Sequence, residues 1–226
     1  MSNVPEPPPF DFPDLLQNVQ CPLPYKCDCL YRSLTVTSEE ATAFEVETRK
    51  QSDSSKWHNL RKHRLTSSKF KRICSRRDNF KSLAEKLLSN SNIQTKQMKF
   101  GLENEPVAAQ NYADKFGRNT YAVGFVVNPS ACHLGCSPDR RVYDPDVPES
   151  YGLLEIKCPS KESVTQCPYL VLRSNYKLQL KRTHEYFCQI MGQLFITGAP
   201  WCDFFVYCQM TFTVNEFTLI KHSLKK

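Results

Sequence analysis

The sequence predicts an α/β or α+β fold in which helices come first, strands follow, and a last helix precedes a final strand. Helical periodicity dominates before Gly117, and runs of β-branched and aromatic residues dominate after it. The 226 residues are 40% hydrophobic and include 14 Phe and 10 Tyr, which is enough for one sizeable core. No internal repeat interrupts this order, so one main domain with an extension is expected.

The N-terminal part divides into a leader and a helical extension. Residues 1–30 are rich in proline, which predicts an extended or disordered leader. Residues 31–56 are predicted to form a helical extension, with a helix from Ser38 to about Arg49 that Thr37 or Ser38 caps. A serine-rich break at 51–55 ends this helix. The prolines of the leader are Pro5, Pro7, Pro8, Pro9, Pro13, Pro22 and Pro24.

A basic segment follows at residues 57–70. Trp57 and Leu60 are expected to be buried anchors beside the cationic run 61–64. The Thr-Ser-Ser run at 66–68 is predicted to cap a helix toward Cys74, and a helix N-terminus favours a bound phosphate. Arg61 would add a bidentate guanidinium contact. The alternative is an ordinary helix start beside a solvated basic face.

Two further helices are predicted at about 79–89 and 95–116. In the second helix, Glu105 lies on a stripe of small and aromatic residues, where close packing is expected. It is therefore either a satisfied carboxylate or a metal ligand, and Pro106 indicates a kink or a helix start. The stripe consists of Gly101, Glu105, Ala108 and Tyr112.

The second half of the chain reads as strands around one convincing helix. That helix is expected at 183–197, with Gln189 and Gln193 on one face and Gly198 as its stop. Residues 159–182 are basic and have no clear pattern, and residues 214–226 are predicted as a C-terminal basic helix or tail. Strands are expected at 120–127, 132–136, 140–143, 152–158 and 201–209, with a turn at 144–150.

The predicted hairpin between residues 136 and 159 carries the chemistry. Glu155 and Lys157 are two residues apart in a strand and therefore share a face, and Asp139 belongs to the neighbouring segment S-P-D. Two acids and a lysine at one hairpin are typical of a divalent-metal site with a basic group beside it. The alternative is a surface hairpin with a solvated Glu–Lys pair.

Net charge and cysteine usage constrain the class of partner and the cellular compartment. The net charge of +7 favours an anionic partner, with nucleic acid first. The 11 cysteines lack a regular framework, and neither a membrane helix nor the apolar core of a signal peptide is present, so reduced thiols in an intracellular protein without a membrane partner are expected. Nuclear and cytoplasmic placement stay open. A zinc-bearing interaction module at Cys21, Cys27 and Cys29 is the less favoured alternative.

Four sequence blocks in order resemble one nuclease family. S-P-D with L-E-I-K-C-P resembles the PD-(D/E)XK nuclease superfamily, and more narrowly the YqaJ-like viral recombinase or phage lambda-type alkaline exonuclease family. The segments W-H-N-L-R with T-S-S, G-L-E-N-E, and Y-F-C-Q-I-M-G-Q-L-F-I-T-G resemble three further blocks of that family. The similarity spans about residues 57–209, and a nuclease domain at 57–213 is expected.

The resemblance implies a PD-(D/E)XK restriction-endonuclease-like core, with a central mixed β-sheet flanked by helices. It also implies a role for each matching residue. Mg²⁺ or Mn²⁺ would be held by Asp139, Glu155 and the backbone carbonyl of Ile156, because hard cations prefer oxygen ligands. Glu105 would complete the acidic site, with a second metal ion there as a further possibility. Lys157 would orient and help deprotonate the attacking water, Gln189 would hold the lysine or the water, and Arg61 and Ser68 would grip a 5′-phosphate.

The implied function is a metal-dependent deoxyribonuclease, a 5′-to-3′ exonuclease on 5′-phosphorylated duplex ends in DNA recombination or repair. DNA is the implied partner, with a homo-oligomer and a single-strand annealing protein as further possibilities. One departure favours the alternative of a catalytically impaired DNA-binding protein: Arg140 and Arg141 follow S-P-D where the family usually has glycine. If that turn requires a positive φ, arginine is strained there; otherwise the pair adds phosphate contacts.

Overall fold

The computed structural model describes residues 6–15, 25–89, 95–174 and 176–218. Seven helices and ten strands lie within these ranges. The helices are α1 (Tyr25–Ser33), α2 (Ser38–Glu47), α3 (Ser55–Lys62), α4 (Phe70–Cys74), α5 (Phe80–Leu88), α6 (Lys96–Phe116) and α7 (Glu185–Thr197). The strands are β1 (Leu65–Thr66), β2 (Asn119–Ala122), β3 (Val126–Val127), β4 (Leu134–Cys136), β5 (Arg140–Tyr143), β6 (Tyr151–Lys157), β7 (Leu170–Leu172), β8 (Leu178–Leu180), β9 (Trp201–Tyr207) and β10 (Phe212–Thr218).

A five-stranded mixed sheet forms the centre of the molecule, in the order β10-β9-β6-β5-β2. Strands β6 and β9 are parallel, and the other neighbours in this sheet are antiparallel. A three-stranded sheet, β1-β4-β3, and the β7-β8 hairpin complete the strands of the described residues. The predicted α/β architecture with a central mixed sheet is therefore confirmed.

Helices cover both faces of the central sheet. Side chains alternate along each strand, so β6 presents apolar residues to both faces and each face packs against a helix. Leu154 and Ile156 of β6 pack in one buried cluster with residues of α6. Leu153 points the other way and packs with Ile190 and Leu194 of α7. This alternation places Glu155 and Lys157 on one face of β6, as the sequence predicted, and the structure shows that this is the α7 side.

The N-terminal extension is packed into this domain. Helix α2 begins with a capping box in which Thr37 and Glu40 satisfy each other's backbone amides. Glu45 accepts a hydrogen bond from the Gly124 amide at 3.0 Å, and Thr48 accepts one from the Phe125 amide at 2.7 Å. The two chain segments are so close that a Cβ at Gly124 would lie 1.9 Å from the Glu45 carbonyl oxygen.

The predicted leader differs from the structure at its C-terminal end. Residues 6–15 are extended, and Phe10 and Phe12 pack against buried clusters of the domain. Helix α1 begins at Tyr25, so the prediction that residues up to 30 lack regular structure is wrong from that position onward. The Pro-free run from Tyr25 to Ser33 permits the helix. The remaining leader positions, 1–5 and 16–24, lie outside the described residues.

Two strand assignments also change. The single strand expected at 120–127 is two strands, β2 and β3, which belong to different sheets. The helix expected from residue 214 is wrong, because β10 pairs with β9 over its full length. Val214 and Phe217 are three apart, a spacing that suits a helix as well as a strand, and pairing with β9 decides between them. Residues 219–226 lie outside the described part of the chain.

The described cysteines are unpaired, which agrees with the predicted reduced thiols. Most of them are buried and fill the core as small apolar groups. Within the ranges that the structure describes, no helix is long and apolar enough to cross a membrane.

A buried charge network joins α6 to the sheet. The Arg118 guanidinium contacts Asp203 of β9 and Asp144 after β5, each at 2.5 Å. The Tyr112 hydroxyl donates to Asp203 at 2.6 Å. Both aspartates are almost fully buried, so Arg118 compensates two charges that would otherwise be very costly.

We therefore expect Arg118→Met to lower the free energy of unfolding by about 3 kcal/mol or more, because it leaves two buried carboxylates unpaired. Urea denaturation followed by circular dichroism measures the change. Lys99→Met is the control, since Lys99 forms an exposed pair with Glu103 and its loss costs at most about 0.5 kcal/mol. Equal effects of the two substitutions would show that the network does not stabilise the fold.

Candidate active site

The predicted acidic pair meets at the end of the central strand β6. Arg140 lies opposite Leu154 in the β5–β6 register, which brings the preceding Asp139 beside Glu155 and Ile156. One Asp139 carboxylate oxygen accepts a hydrogen bond from the Ile156 amide at 2.6 Å. The S-P-D segment is thus attached directly to the strand that carries Glu155 and Lys157.

Glu155 is a charged group in the interior, with 1% of its surface exposed. Three donors converge on its carboxylate. Lys157 forms an ion pair with Oε1, and the Gln189 amide donates to the same oxygen at 2.6 Å. The Gln193 amide donates to Oε2 at 2.6 Å. These contacts satisfy the carboxylate and fix its orientation.

Helix α7 supplies both glutamines because residues four apart lie on one helix face. The sequence placed Gln189 and Gln193 together but gave a role only to Gln189. In the structure Gln189 contacts Glu155 rather than the lysine, and Gln193 makes an equivalent contact. The four-residue spacing was the available signal for Gln193, which is fully buried.

The acids and the lysine shift each other's proton affinity. Burial, and then repulsion from Glu155, raise the pKa of Asp139 well above its usual value, and Glu105 adds to the repulsion. Burial alone would lower the pKa of Lys157, but the carboxylates of Glu155 and Asp139 outweigh it and raise the pKa above the ordinary lysine value. Lys157 is therefore an ammonium ion in this arrangement.

Glu105 reaches the site from α6 and meets an arginine there. The Arg140 guanidinium donates to Glu105 at 2.7 Å and to the Asp139 backbone carbonyl at 2.5 Å. Positive φ among the described non-glycine residues occurs at Gln51, Asn79 and Tyr176, so Arg140 is not strained. The concern about a glycine-requiring turn is removed, and Arg140 is instead a partner of the third acid.

The oxygen atoms at this end of β6 fit a hard divalent cation. Asp139 and Glu155 are neighbours across the β5–β6 pair, and repulsion between their carboxylates contributes to the raised pKa of Asp139. Glu105 is engaged by Arg140, and within the described ranges no group of three or more His, Cys, Asp and Glu side chains is arranged to hold a metal. The predicted ligands that Arg140 does not engage are therefore Asp139, Glu155 and the Ile156 carbonyl, and cation binding there stays a prediction.

The zinc alternative also requires a group of side chains that can hold a metal, and the described residues contain none. Cys27 and Cys29 are exposed, free thiols on α1, and Cys21 lies outside the described residues. The structure gives this alternative no support.

Arg61 is tied to the S-P-D segment. Its guanidinium stacks 3.9 Å from the Trp57 ring centroid and donates to the Ser137 hydroxyl at 3.1 Å. The Trp57 indole donates to the same hydroxyl at 2.9 Å. Ser137, two residues before Asp139, therefore connects the basic segment to the S-P-D segment. The sequence did not reveal this connection.

Ser68 is bonded locally. It is exposed and shares a hydrogen bond with Thr66 at 3.1 Å, and no hydrogen bond between described residues joins it to Arg61. Its helix start is a short 3₁₀ turn, Ser67–Lys69, without a side-chain cap. Both residues were predicted to grip one 5′-phosphate, which requires no direct contact between them, so that role of Ser68 stays a prediction.

Cations crowd around the segment after α3. Arg61, Lys62, Arg64 and Lys69 line a cavity of about 350 Å³. Burial, and then repulsion from Arg61 and Arg72, lower the pKa of Lys69. Burial also lowers the pKa of Arg61 to about 10. An anion in this cavity would relieve the repulsion, which gives the predicted phosphate site a physical basis.

Gln51 is a second residue that the sequence did not identify. Its side-chain amide donates to the Pro138 carbonyl at 3.0 Å and to the Val123 carbonyl at 2.9 Å. It follows α2 in the extension, so the extension braces the loop that carries Asp139. The sequence assigned this position only to a break between helices.

A mixed sheet between α6 and α7, with two acids and a lysine at the end of its central strand, defines a nuclease fold of the PD-(D/E)XK type. The chain belongs to the YqaJ-like viral recombinase domain family. The sequence model of this family matches residues 56–200, more than half of the sequence. No curated protein matches the chain significantly.

Solved structures share this fold. An alkaline exonuclease from Laribacter hongkongensis has a TM-score of 0.56 and 25% identity, over 73% of this chain and 82% of that chain. An RNA complex of SOX from KSHV has a TM-score of 0.54 and 14% identity, over 79% and 67% of the two chains. A SOX–DNA complex has a TM-score of 0.51 and 15% identity, over 75% and 59%. At these identities the two SOX structures show the fold alone.

Asp139 is expected to destabilise the metal-free protein. Because its pKa is higher in the folded state than in the unfolded state, the folded protein holds the proton more tightly, and stability falls as the pH rises through the raised pKa. Asp139→Asn removes this penalty and should raise the melting temperature in EDTA at neutral pH by about 2–4 °C. The variant should also lose the pH dependence.

Differential scanning calorimetry across pH measures this change. Asp146→Asn is the control, because Asp146 is exposed on the turn after β5 and its substitution should leave the melting temperature within about 1 °C. A melting temperature of Asp139→Asn at or below that of the wild type would contradict the expected repulsion.

Proposed function

We propose that the protein is a divalent-metal-dependent deoxyribonuclease that removes nucleotides from 5′-phosphorylated duplex ends, in DNA recombination or repair. The observation that carries the proposal is the convergence of Asp139, Glu155 and Lys157 at the end of β6. Membership of the YqaJ-like family and the likeness to an alkaline exonuclease support the reaction class.

The carboxylates of Asp139 and Glu155 and the Ile156 carbonyl would hold Mg²⁺ or Mn²⁺. The bound ion would neutralise charge on the phosphodiester and favour an ionised water. The protein contributes orientation, because Gln189 and Gln193 hold the Glu155 carboxylate from two directions. A cation at this site would also relieve the repulsion that raises the pKa of Asp139.

Lys157 would act as a positive charge rather than as a base. In the metal-free site the carboxylates of Glu155 and Asp139 raise its pKa above the ordinary lysine value, which favours the ammonium form. The ammonium lies 4.8 Å from the centroid of the Tyr186 ring and pairs with Glu155, which limits its positions. From there it would stabilise negative charge that develops on the phosphoryl oxygens and orient the attacking water.

The preference for an end would come from the basic cavity beside α3. A terminal 5′-phosphate carries more negative charge than an internal phosphodiester, and Arg61 and Lys69 line a cavity where cations repel one another. Ser68 would add a hydroxyl contact after a rotation of its exposed side chain. Ser137 links Arg61 to the S-P-D segment. A 5′-phosphate bound at Arg61 would therefore set the position of the DNA strand relative to Asp139.

A second candidate is a DNA-binding protein that keeps the fold but turns over poorly. The observation that favours it is the ion pair between Arg140 and Glu105, which engages an acid assigned to the metal site. The family resemblance also implies two partners. A homo-oligomer that encircles DNA would make digestion processive, and a single-strand annealing protein would act with the nuclease in recombination.

The proposed activity predicts Mg²⁺-dependent release of mononucleotides from linear 5′-phosphorylated duplex, which EDTA abolishes. Lys157→Ala should lower the rate by about 100-fold or more, because a charge aimed at the reacting phosphate is lost. Quenched-flow or gel assays of end-labelled duplex measure the rate. Lys50→Ala, at an exposed lysine outside the site, is the control and should retain activity.

Two results would reject this proposal in different ways. Nicking of closed circular DNA at the same rate as linear duplex would exclude an end-dependent exonuclease. Tight binding of duplex ends without cleavage, in either Mg²⁺ or Mn²⁺, would identify the protein as the binding form of the fold.

Arg61 is expected to set the preference for a 5′-phosphate. Arg61→Met should lower kcat/KM on phosphorylated ends by about tenfold or more, since a charge-assisted contact is lost, and should change little on 5′-hydroxyl ends. The ratio of the two kcat/KM values is the measurement. The expected result is a ratio about tenfold or more below that of the wild type.

Arg173→Met is the matched control. The Arg173 guanidinium donates to the Gln179 side chain on the β7–β8 hairpin and does not line the basic cavity. This variant should keep the ratio of the wild type. An unchanged ratio in Arg61→Met would exclude Arg61 as the phosphate anchor.

A further inference from the structure

Arg140 occupies a defined place between two acids of the site. It follows Asp139 directly and begins β5, where its position opposite Leu154 turns its side chain toward α6. One guanidinium nitrogen contacts both Glu105 and the Asp139 carbonyl. The side chains of Arg140 and Glu105 are 21% and 27% exposed, so the pair is largely shielded from water.

Both partners of this ion pair are held by rigid elements. The Arg140 backbone is paired on two sides, with Ala122 of β2 and with Leu154 of β6. Glu105 lies on α6, which Tyr112 fastens to the sheet through Asp203. The pair therefore belongs to the frame of the fold.

The guanidinium supplies both a positive charge and a fixed geometry. Its planar donors match carboxylate and phosphate oxygens. Three carboxylates, Asp139, Glu155 and Glu105, face the two cations Lys157 and Arg140, which leaves a formal charge of −1. One divalent cation is enough to reverse this charge, and a second would be opposed by the ion and by Arg140 together.

We propose that Arg140 takes the place of a second metal ion, so that the site holds one divalent cation at Asp139 and Glu155 while Glu105 stays paired with the guanidinium. This inference rests on the metal dependence of the proposed function and adds the stoichiometry. Arg140 is then a resident cation on the α6 side of the site. It neutralises phosphoryl charge there without needing to be recruited from solution.

The ion pair between Arg140 and Glu105 is compatible with either a catalytically impaired site or a working site with one metal ion. An arginine that impaired the site as a whole would leave Asp139 and Glu155 unable to bind even one ion well. An arginine that replaces a metal ion gives a site that binds one ion well and gains a second when the guanidinium is removed.

Manganese binding to the full-length protein tests this inference without an activity readout. Isothermal titration calorimetry and the electron paramagnetic resonance signal of free Mn²⁺ both give the number of bound ions. The wild type should bind one Mn²⁺. Arg140→Met, and independently Arg140→Gln, should bind two, because Glu105 is then free to act as a ligand.

Two further variants identify the residue that holds the added ion. Arg140→Met combined with Glu105→Gln should return the number to one. Arg141→Met is the matched control on the same strand, because Arg141 stacks on Phe10 and bonds the Pro8 carbonyl away from Glu105, and it should bind one. Circular dichroism melts establish that each variant is folded before the titration.

The outcomes separate this inference from the proposed function. Two Mn²⁺ in the wild type, or one Mn²⁺ in both folded Arg140 variants, would overturn the replacement of a metal by Arg140 and leave a metal-dependent nuclease intact. No Mn²⁺ in the wild type and in the Arg140 variants would overturn both.

Discussion

The structure depends on a single buried carboxylate at the end of its central strand. Removing Glu155 from water costs several kcal/mol unless donors replace the lost hydration. Lys157 from the same strand and Gln189 and Gln193 from α7 provide those donors. The packing of α7 on the sheet is thus a condition for keeping the charge, and the charge in turn fixes the rotation of α7.

The opposite side of the site is organised by the loop that carries Asp139. Ser137 receives hydrogen bonds from Trp57 and Arg61, and the Pro138 carbonyl receives one from Gln51. The extension and the basic segment therefore meet at the two residues before the catalytic candidate. A displacement of Arg61 or Trp57 would therefore act on Ser137, two residues before Asp139.

Most of the site could be predicted because its residues lie in short periodic motifs. The spacing of Glu155 and Lys157 gives a shared strand face, and the spacing of Gln189 and Gln193 gives a shared helix face. The contacts of Ser137, Gln51 and Arg140 could not be predicted in this way. Each joins segments far apart in sequence, as in the pair of Arg140 with Glu105, and only the packed chain sets their distance.

The sequence by itself determined most of the order of the elements, because local backbone geometry imposes periods that reveal helices and strands. The family and the composition of the candidate acidic site came from the resemblance of four sequence blocks in order. Tertiary structure alone decided that β10 is a strand, that residues 120–127 split between two sheets, and that Arg140 adopts an unstrained φ beside Glu105. Those outcomes depend on long-range pairing and burial, for which local propensity is a weak guide.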